Sequence, residues 1–496
     1  MWPGLSVPCL SINRVERFEP TIGRWWVDTT PESKVAGYLE LDPDEPSLPW
    51  RLTVEGEIHP HPGTGHSKGL TIFGDTPLGK YTLRTCVPTW MYGLGDRSDM
   101  QRWGGVMLLQ GDHASEDAKY TQATFRLPHL WNWIGPSPLN YHTMGARRHA
   151  TVPSPNDELQ WLEAELPNGM TVGLARMFTR SVTPGGRHKS TEGYGVYRLA
   201  AEAGFTLDKA RIVADGLARL YSLVTSKPME TFDMSIGGGR NGRTTVVDPR
   251  SPAGEDWDGI QDPYFDTDEI DFPAFVGEWI RLHTEAAGVG AAVDPGRSRT
   301  FVTSMLIDGC NAVEALANRC WTDGPGELRP EDQAVIALLA EARVHRDTRR
   351  GIQRYLRQRR WSLQAKLERA AESLGPDSAA WLLGPSVSDW AHLISRLRNS
   401  VAHGSSLPDG LDGDMSFVLL AHESLNAVLT LTLFKQCGYT NRLSKISGEL
   451  LRSGGKSIVS HPNSGLSREL EEIASRSGEW AEWRRRLDGR SDGEAD

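Results

Sequence analysis

Ser386-Val-Ser-Asp-Trp-Ala-His-Leu-Ile-Ser-Arg-Leu-Arg-Asn-Ser-Val-Ala-His-Gly404 is the stretch whose reading decides the fold of the C-terminal half. Ser386 followed three residues later by Asp389 makes a capping box with Asp in the acidic position. Trp390, Leu393, Ile394 and Leu397 then recur at the three-to-four spacing of one buried helical face. The helix is expected to end near His403-Gly404. Its last turn gathers three polar groups, Arg398, Asn399 and His403. At about 100° per residue, Asn399 and His403 lie on nearly the same face. Arg398 is turned by about 100° from Asn399, but its length and an unwinding last turn let guanidinium and imidazole reach one phosphate.

The helical pattern extends in both directions. Downstream, after the loop SSLPDGLDGD, a second apolar helix is expected over Met415 to Cys437, with Gly438 as its C-cap. Upstream, similar periods run over 300–321, 333–344 and 353–374. From Arg250 to Phe275 the composition changes: eight carboxylates stand against one arginine, with three prolines, a mixture that packs poorly and reads as a linker. Before it lie 20 of the chain's 30 prolines. That half is too interrupted for long helices. Its short β-branched and aromatic segments, at 51–58, 79–86, 105–110 and 231–236, read as strands of a sandwich or barrel. The expected organisation is α+β and multidomain. Residues 1–140 and 141–249 form two β-rich subdomains, 250–275 the acidic linker, and 276–490 an all-α helical bundle.

Composition narrows the function classes. The 496 residues are 39% hydrophobic and 24% charged, which suits a globular chain with a core. The formal charge, 54 − 64 = −10, gives the whole molecule no attraction for polyanions, so nucleic-acid binding requires a local patch. Such a patch exists between Arg343 and Arg369, where nine arginines and Lys366 face only Asp347 and Glu368. It reads either as a place for a phosphate backbone or as a solvated helix face. Cys9, Cys86, Cys310, Cys320 and Cys437 are odd in number and never spaced as CxxC, which excludes a disulfide framework or zinc knuckle and fits a reducing cytoplasm. No secretory signal is read at the start. The apolar run Phe417 to Phe434 carries His422, Glu423 and Asn426, so no membrane span is expected.

The chemistry of the Arg398, Asn399 and His403 set is specific. Cutting RNA without a metal needs a group titrating near neutrality to move protons between the 2′-hydroxyl and the leaving oxygen. It also needs a fixed cation on the phosphorane-like transition state. His403 and Arg398 suit those roles, with Asn399 orienting the imidazole. The plain alternative is that Arg398 and His403 cap the helix and pair with surface acids. Glu314, on the helix expected beside the motif helix, reads as a partner for Arg398 or as a surface glutamate.

Other motifs are weaker. Gly237-Gly-Gly-Arg-Asn-Gly242 satisfies GxGxxG, but Arg243-Thr-Thr-Val-Val that follows is a strand pattern, so it reads as a hairpin turn. His59, His61 and His66 could hold zinc but lack a fourth ligand, and read as a solvated proline-rich loop. Cys310 and Cys320 read as core residues. A carbohydrate-acting site in the β-rich half would rest only on aromatics and scattered acids.

Arg398-Asn399-xxx-His403, closing one long helix and followed by a loop and a second apolar helix, resembles the RxxxxH signature of HEPN domains. In the first half, Phe18-Glu-Pro-Thr-Ile-Gly-Arg-Trp-Trp26, Val35-Ala-Gly-Tyr-Leu39, Ile72-Phe-Gly-Asp-Thr-Pro-Leu-Gly79 and Phe125-Arg-Leu-Pro-His-Leu-Trp131 resemble the N-terminal region of ApeA-type abortive-infection proteins. The resemblance implies an antiviral, metal-independent endoribonuclease that needs no cofactor and leaves a 2′,3′-cyclic phosphate. It further implies RNA, with tRNA as a substrate class, a homodimer or higher oligomer through the HEPN domain, and a phage-derived trigger sensed by the β-rich half. The rival expectation is a non-catalytic HEPN-like dimerisation scaffold carrying a ligand-sensing β-sandwich.

Overall fold

Alternation of apolar and polar residues produces strands β1 (Thr21–Val27), β2 (Val35–Leu41), β3 (Trp50–Glu55), β4 (Leu70–Thr76), β5 (Gly79–Tyr92) and β6 (Met100–Gly105). Antiparallel pairing in the order β1-β2-β3-β6-β5-β4 and back to β1 closes them into a six-stranded barrel. Its interior is filled by Trp25, Leu39, Trp50, Leu52, Val54, Ile72, Leu83 and Trp103, all fully buried. Gly74 stands opposite Trp25 in the ladder, and a Cβ there would lie 2.3 Å from the indole ring. Only glycine fits beneath that tryptophan.

The structure is a computed structural model describing residues 18–27, 30–42, 45, 47–58, 69–92, 100–135, 140–144, 147–151, 161–182, 189–237, 244–247, 263–293, 301–321, 330–358, 362–403, 415–439, 478, 480–482 and 485. β5 serves two partners on one side. Residues 81–84 pair with β7 (Met107–Gly111) and 87–92 with β6, and Thr85 between them takes a left-handed φ of 56° at a bulge. From β7 the sheet continues through β15 (Thr244–Val247), β14 (Phe232–Gly237), β8 (Tyr120–Arg126), β13 (Lys189–Phe205), β12 (Thr171–Val182) and β11 (Leu162–Glu165). β9 (Asn140–Met144) and β10 (Arg147–Thr151) make a separate hairpin. Ile236 pairs with Thr244, so strands flank the GxGxxG stretch as a hairpin requires, although its tip lies outside the described residues. His59, His61 and His66 lie outside them too.

One expectation fails. The prolines of the first half do not exclude long helices: α1 (Leu207–Thr225) runs 19 residues. The reason is local, because no proline occurs between Pro184 and Pro228, and Leu207, Ala210, Ala214, Leu217, Tyr221 and Val224 keep a helical period and are buried.

The chain divides into two compact units, one of Met1–Ala218, Met229–Ile260 and Asp266–Asp268, the other of Arg219–Pro228, Gln261–Phe265 and Glu269–Asp496. The second is helical. It contains α2 (Phe272–Glu285), α3 (Ala287–Ala292), α4 (Val302–Cys320), α5 (Pro330–Glu341), α6 (Arg346–Gln358), α7 (Leu363–Ser373), α8 (Pro376–Leu383), α9 (Val387–Ala402) and α10 (Met415–Gln436). Asp271, one of the acids counted in the expected linker, caps α2 by accepting from the Ala274 N–H at 3.3 Å, while Phe272 and Phe275 are buried. Helices α4, α7, α9 and α10 pack together around Leu306, Val313, Leu367, Leu393, Leu397 and Leu429. The single period expected over 353–374 is two helices, since Ser362 starts α7 by accepting from the Ala365 N–H at 3.1 Å. Gly438 ends α10 with φ 99°, its N–H on the Lys435 carbonyl and that of Tyr439 on Phe434, a Schellman cap.

Candidate active site at the end of helix α9

Helix α9 begins as its sequence requires. Ser386 Oγ accepts from the Asp389 N–H at 3.3 Å, and the Trp390 Nε1–H donates to Ser424 Oγ on α10 at 2.9 Å, fixing the helix in rotation. Trp390, Leu393, Ile394 and Leu397 are fully buried. Burying that face sets what the opposite side presents in the last turn.

Arg398 is half-buried there, while Asn399 and His403 are exposed. The Arg398 Nη1–H donates to Asn399 Oδ1 at 3.3 Å, and its Nε is shielded from solvent with no hydrogen-bond partner among the described residues. His403 is the C-cap, with φ −92° and ψ 3°; its backbone N–H donates to the carbonyls of Asn399 (3.0 Å) and Val401. The structure therefore joins the side chains of Arg398 and Asn399, and sets the His403 ring in solvent at the cap that follows. A cation at a helix C-terminus is favoured by the carbonyls gathered there, so Arg398 suits the position.

Behind Arg398 lies a cluster on three helices. Cys310, fully buried on α4, has its thiol pushed up to about 12 chiefly by burial, with Arg398 drawing it down and Glu314 pushing it further up. Both charges therefore act on the same thiol, which at neutral pH is a neutral core group and no nucleophile. Glu314 makes its ion pair with Lys366 of α7, Nζ to Oε1 at 3.9 Å. Lys366 is only 7% exposed. In the sequence it is one cation of the basic stretch; the signal that sets it apart is its place on the apolar face of α7, beside Leu367 and one turn before Ala370, both fully buried. Cys320, expected in the core like Cys310, is half-buried.

Among the described residues, no three His, Cys, Asp or Glu side chains come together as metal ligands, and no helix is long and apolar enough to cross a membrane. Compared with known protein families, residues 20–279 match ApeA N-terminal domain 1, more than half of the chain. Residues 307–443, which include the end of α9, match the Apea-like HEPN domain. No curated protein sequence and no solved structure matches the chain.

Proposed function

The chain belongs to the ApeA family and carries a C-terminal Apea-like HEPN domain, and from that premise we propose that it is a metal-independent endoribonuclease of antiviral defence. The observation that supports this reading is the last turn of α9, where the half-buried Arg398 donates to Asn399 and the exposed His403 follows as the C-cap. In the proposed reaction, the imidazole of His403 takes the proton of a ribose 2′-hydroxyl as its oxygen attacks the adjacent phosphorus. The 5′-oxygen leaves with a proton returned by the imidazolium, and a 2′,3′-cyclic phosphate remains. Arg398 holds the extra negative charge on the phosphoryl oxygens through the guanidinium donors not engaged with Asn399. In this proposal Asn399, whose Oδ1 accepts from Arg398, also orients the imidazole of His403. No step calls for a metal or organic cofactor.

In the same proposal the β-rich half holds the nuclease in check until a phage-derived trigger arrives. The enzyme works in the cytoplasm as a homodimer or higher oligomer, with tRNA as a substrate class. Purified protein incubated with an RNA pool tests the catalytic core. His403→Ala and Arg398→Ala are expected to lower cleavage by roughly 10²- to 10⁴-fold, the range for removal of an acid–base or charge-stabilising group. Cleavage and cellular toxicity that survive both substitutions defeat the assignment and favour the non-catalytic scaffold. Cleavage abolished by EDTA defeats the metal-free mechanism.

A further inference from the structure

Resting on the nuclease reading above, we propose that the hairpin of α5 and α6 is an arm that grips the RNA backbone outside the cleavage site, with Arg343, Arg346 and Arg350 as its phosphate contacts. The turn between the helices is the first observation. α5 closes in a Schellman cap, with the Arg343 N–H on the Ala340 carbonyl at 3.1 Å and the Val344 N–H on Leu339 at 3.1 Å. Arg343 occupies the left-handed position of that cap with φ 54°, where glycine is the favoured residue and a Cβ is strained. An exposed arginine standing where the backbone asks for glycine is a local cost without a local benefit, which is the pattern of a residue kept for binding.

The second observation is charge. At about 100° per residue, the helical positions of Arg346, Arg350, Arg354 and Arg357 on α6 fall within an arc of about 80°. Asp347 is the one carboxylate of α6, and it lies 3.7 Å from His345 and 4.0 Å from Arg350. Arg343, Arg346 and Arg350 are exposed, while Ile352 and Leu356 are half-buried, and α6 packs on α5 and α4. The outward side of α6 is thus cationic, and its apolar side is turned to its neighbours. A helix of 13 residues is about 20 Å long, roughly the rise of six stacked nucleotides. Contact with α4 connects the arm to the helix that carries Cys310 and Glu314 behind Arg398.

An anionic membrane is the competing partner, because Val335 and Leu338 of α5 are 43% and 63% exposed. On α6 itself the large side chain of this kind is Tyr355, 62% exposed, and a single aromatic ring among arginines suits stacking on a base better than insertion into lipid, so the arm fits RNA, the polyanion the rest of the domain calls for. The test titrates a fluorescein-labelled single-stranded RNA into the full chain carrying His403→Ala, at several salt concentrations, with and without Arg343→Gly, Arg346→Gln and Arg350→Gln combined. The expected result is a loss of affinity of roughly tenfold or more at low salt. The slope of log affinity against log salt should fall by about 2, the sum of three phosphate contacts at about 0.7 each. Arg343→Gly alone places the favoured residue in the turn, so its expected loss of about 0.7 in slope cannot come from misfolding.

Unchanged affinity and slope overturn the proposal, as does a parent chain that binds no RNA at low salt. Variants that lose binding to phosphatidylcholine–phosphatidylglycerol vesicles but keep their RNA affinity overturn it in favour of a membrane. Cleavage by the chain with His403 intact, assayed in parallel, separates the two readings. If His403→Ala cleaves as well as the unsubstituted chain, the nuclease reading fails while the binding result stands. If it abolishes cleavage and the arm variants bind like the parent, the arm alone fails.

Discussion

Lys366 and Glu314 show how a single ion pair sets opposite expectations for its two members. The ammonium is almost fully enclosed, whereas the carboxylate is about a third exposed, so removing either one has a different consequence. Glu314→Ala leaves a buried cation with no carboxylate beside it and is expected to destabilise the helical unit by about 1 kcal/mol, a figure reduced for solvent screening of the exposed partner. Lys366→Met exchanges the buried charge for an apolar side chain of similar length and is expected to be neutral or stabilising. Urea unfolding of the two variants checks the contrast; equal destabilisation would contradict it. A second residue carries a pH dependence. Burial of His283 on α2, with Arg219 adding to the effect, lowers its ring from 6.5 to about 4, so the folded chain holds the neutral form. Because the folded value lies below the unfolded one, the stability it contributes is complete above pH 6.5 and is lost as pH falls from 6.5 toward 4. The loss should be on the order of 2 kcal/mol, allowing for partial exposure of the ring. Thermal melts of the parent and of His283→Leu between those pH values should diverge, the variant showing the flatter profile.

At the scale of elements, the caps were the most legible features and the breaks between helices the least. Ser386 and Gly438 are readable because a cap is a local bond between neighbours in sequence. Ser386→Ala is expected to cost about 1 kcal/mol by circular-dichroism melting, with Arg398 and His403 less firmly placed as the helix frays. The expected single helix over 353–374 failed because its apolar period continues through Ser362, where side-chain capping starts a new helix. α1 was missed for the opposite reason, since a proline-poor window was hidden inside a proline-rich half. Arg343→Gly belongs here too: relieving the left-handed strain should raise stability by up to about 1 kcal/mol, opposite in sign to its expected effect on RNA binding.

On the scale of the whole molecule, the net charge of −10 conceals segments of opposite sign, with the arginines of α6 collected in the same unit as the candidate site. If that site is composite, using Arg398 of one protomer with His403 of another, mixing the inactive Arg398→Ala and His403→Ala proteins should recover part of the cleavage, because one of the two sites in a mixed dimer is then intact. A mixture as inactive as its components would place the whole site in one protomer. The β-rich class of the first half and the helical class of the second were legible in the sequence, because side-chain period and turn residues are local properties. So were the positions of Arg398, Asn399 and His403 at a helix end. Closure of six strands into a barrel was not, since it depends on β3 pairing with β6 and β1 with β4, strands that are not neighbours in the chain. Nor was the linking of Arg398, through Cys310, with Glu314 and the buried Lys366, because α4, α7 and α9 meet only when their apolar faces pack. The sequence by itself determined which residues sit on which face of each element; tertiary structure alone decided which faces meet, because those contacts form between elements that no local rule connects.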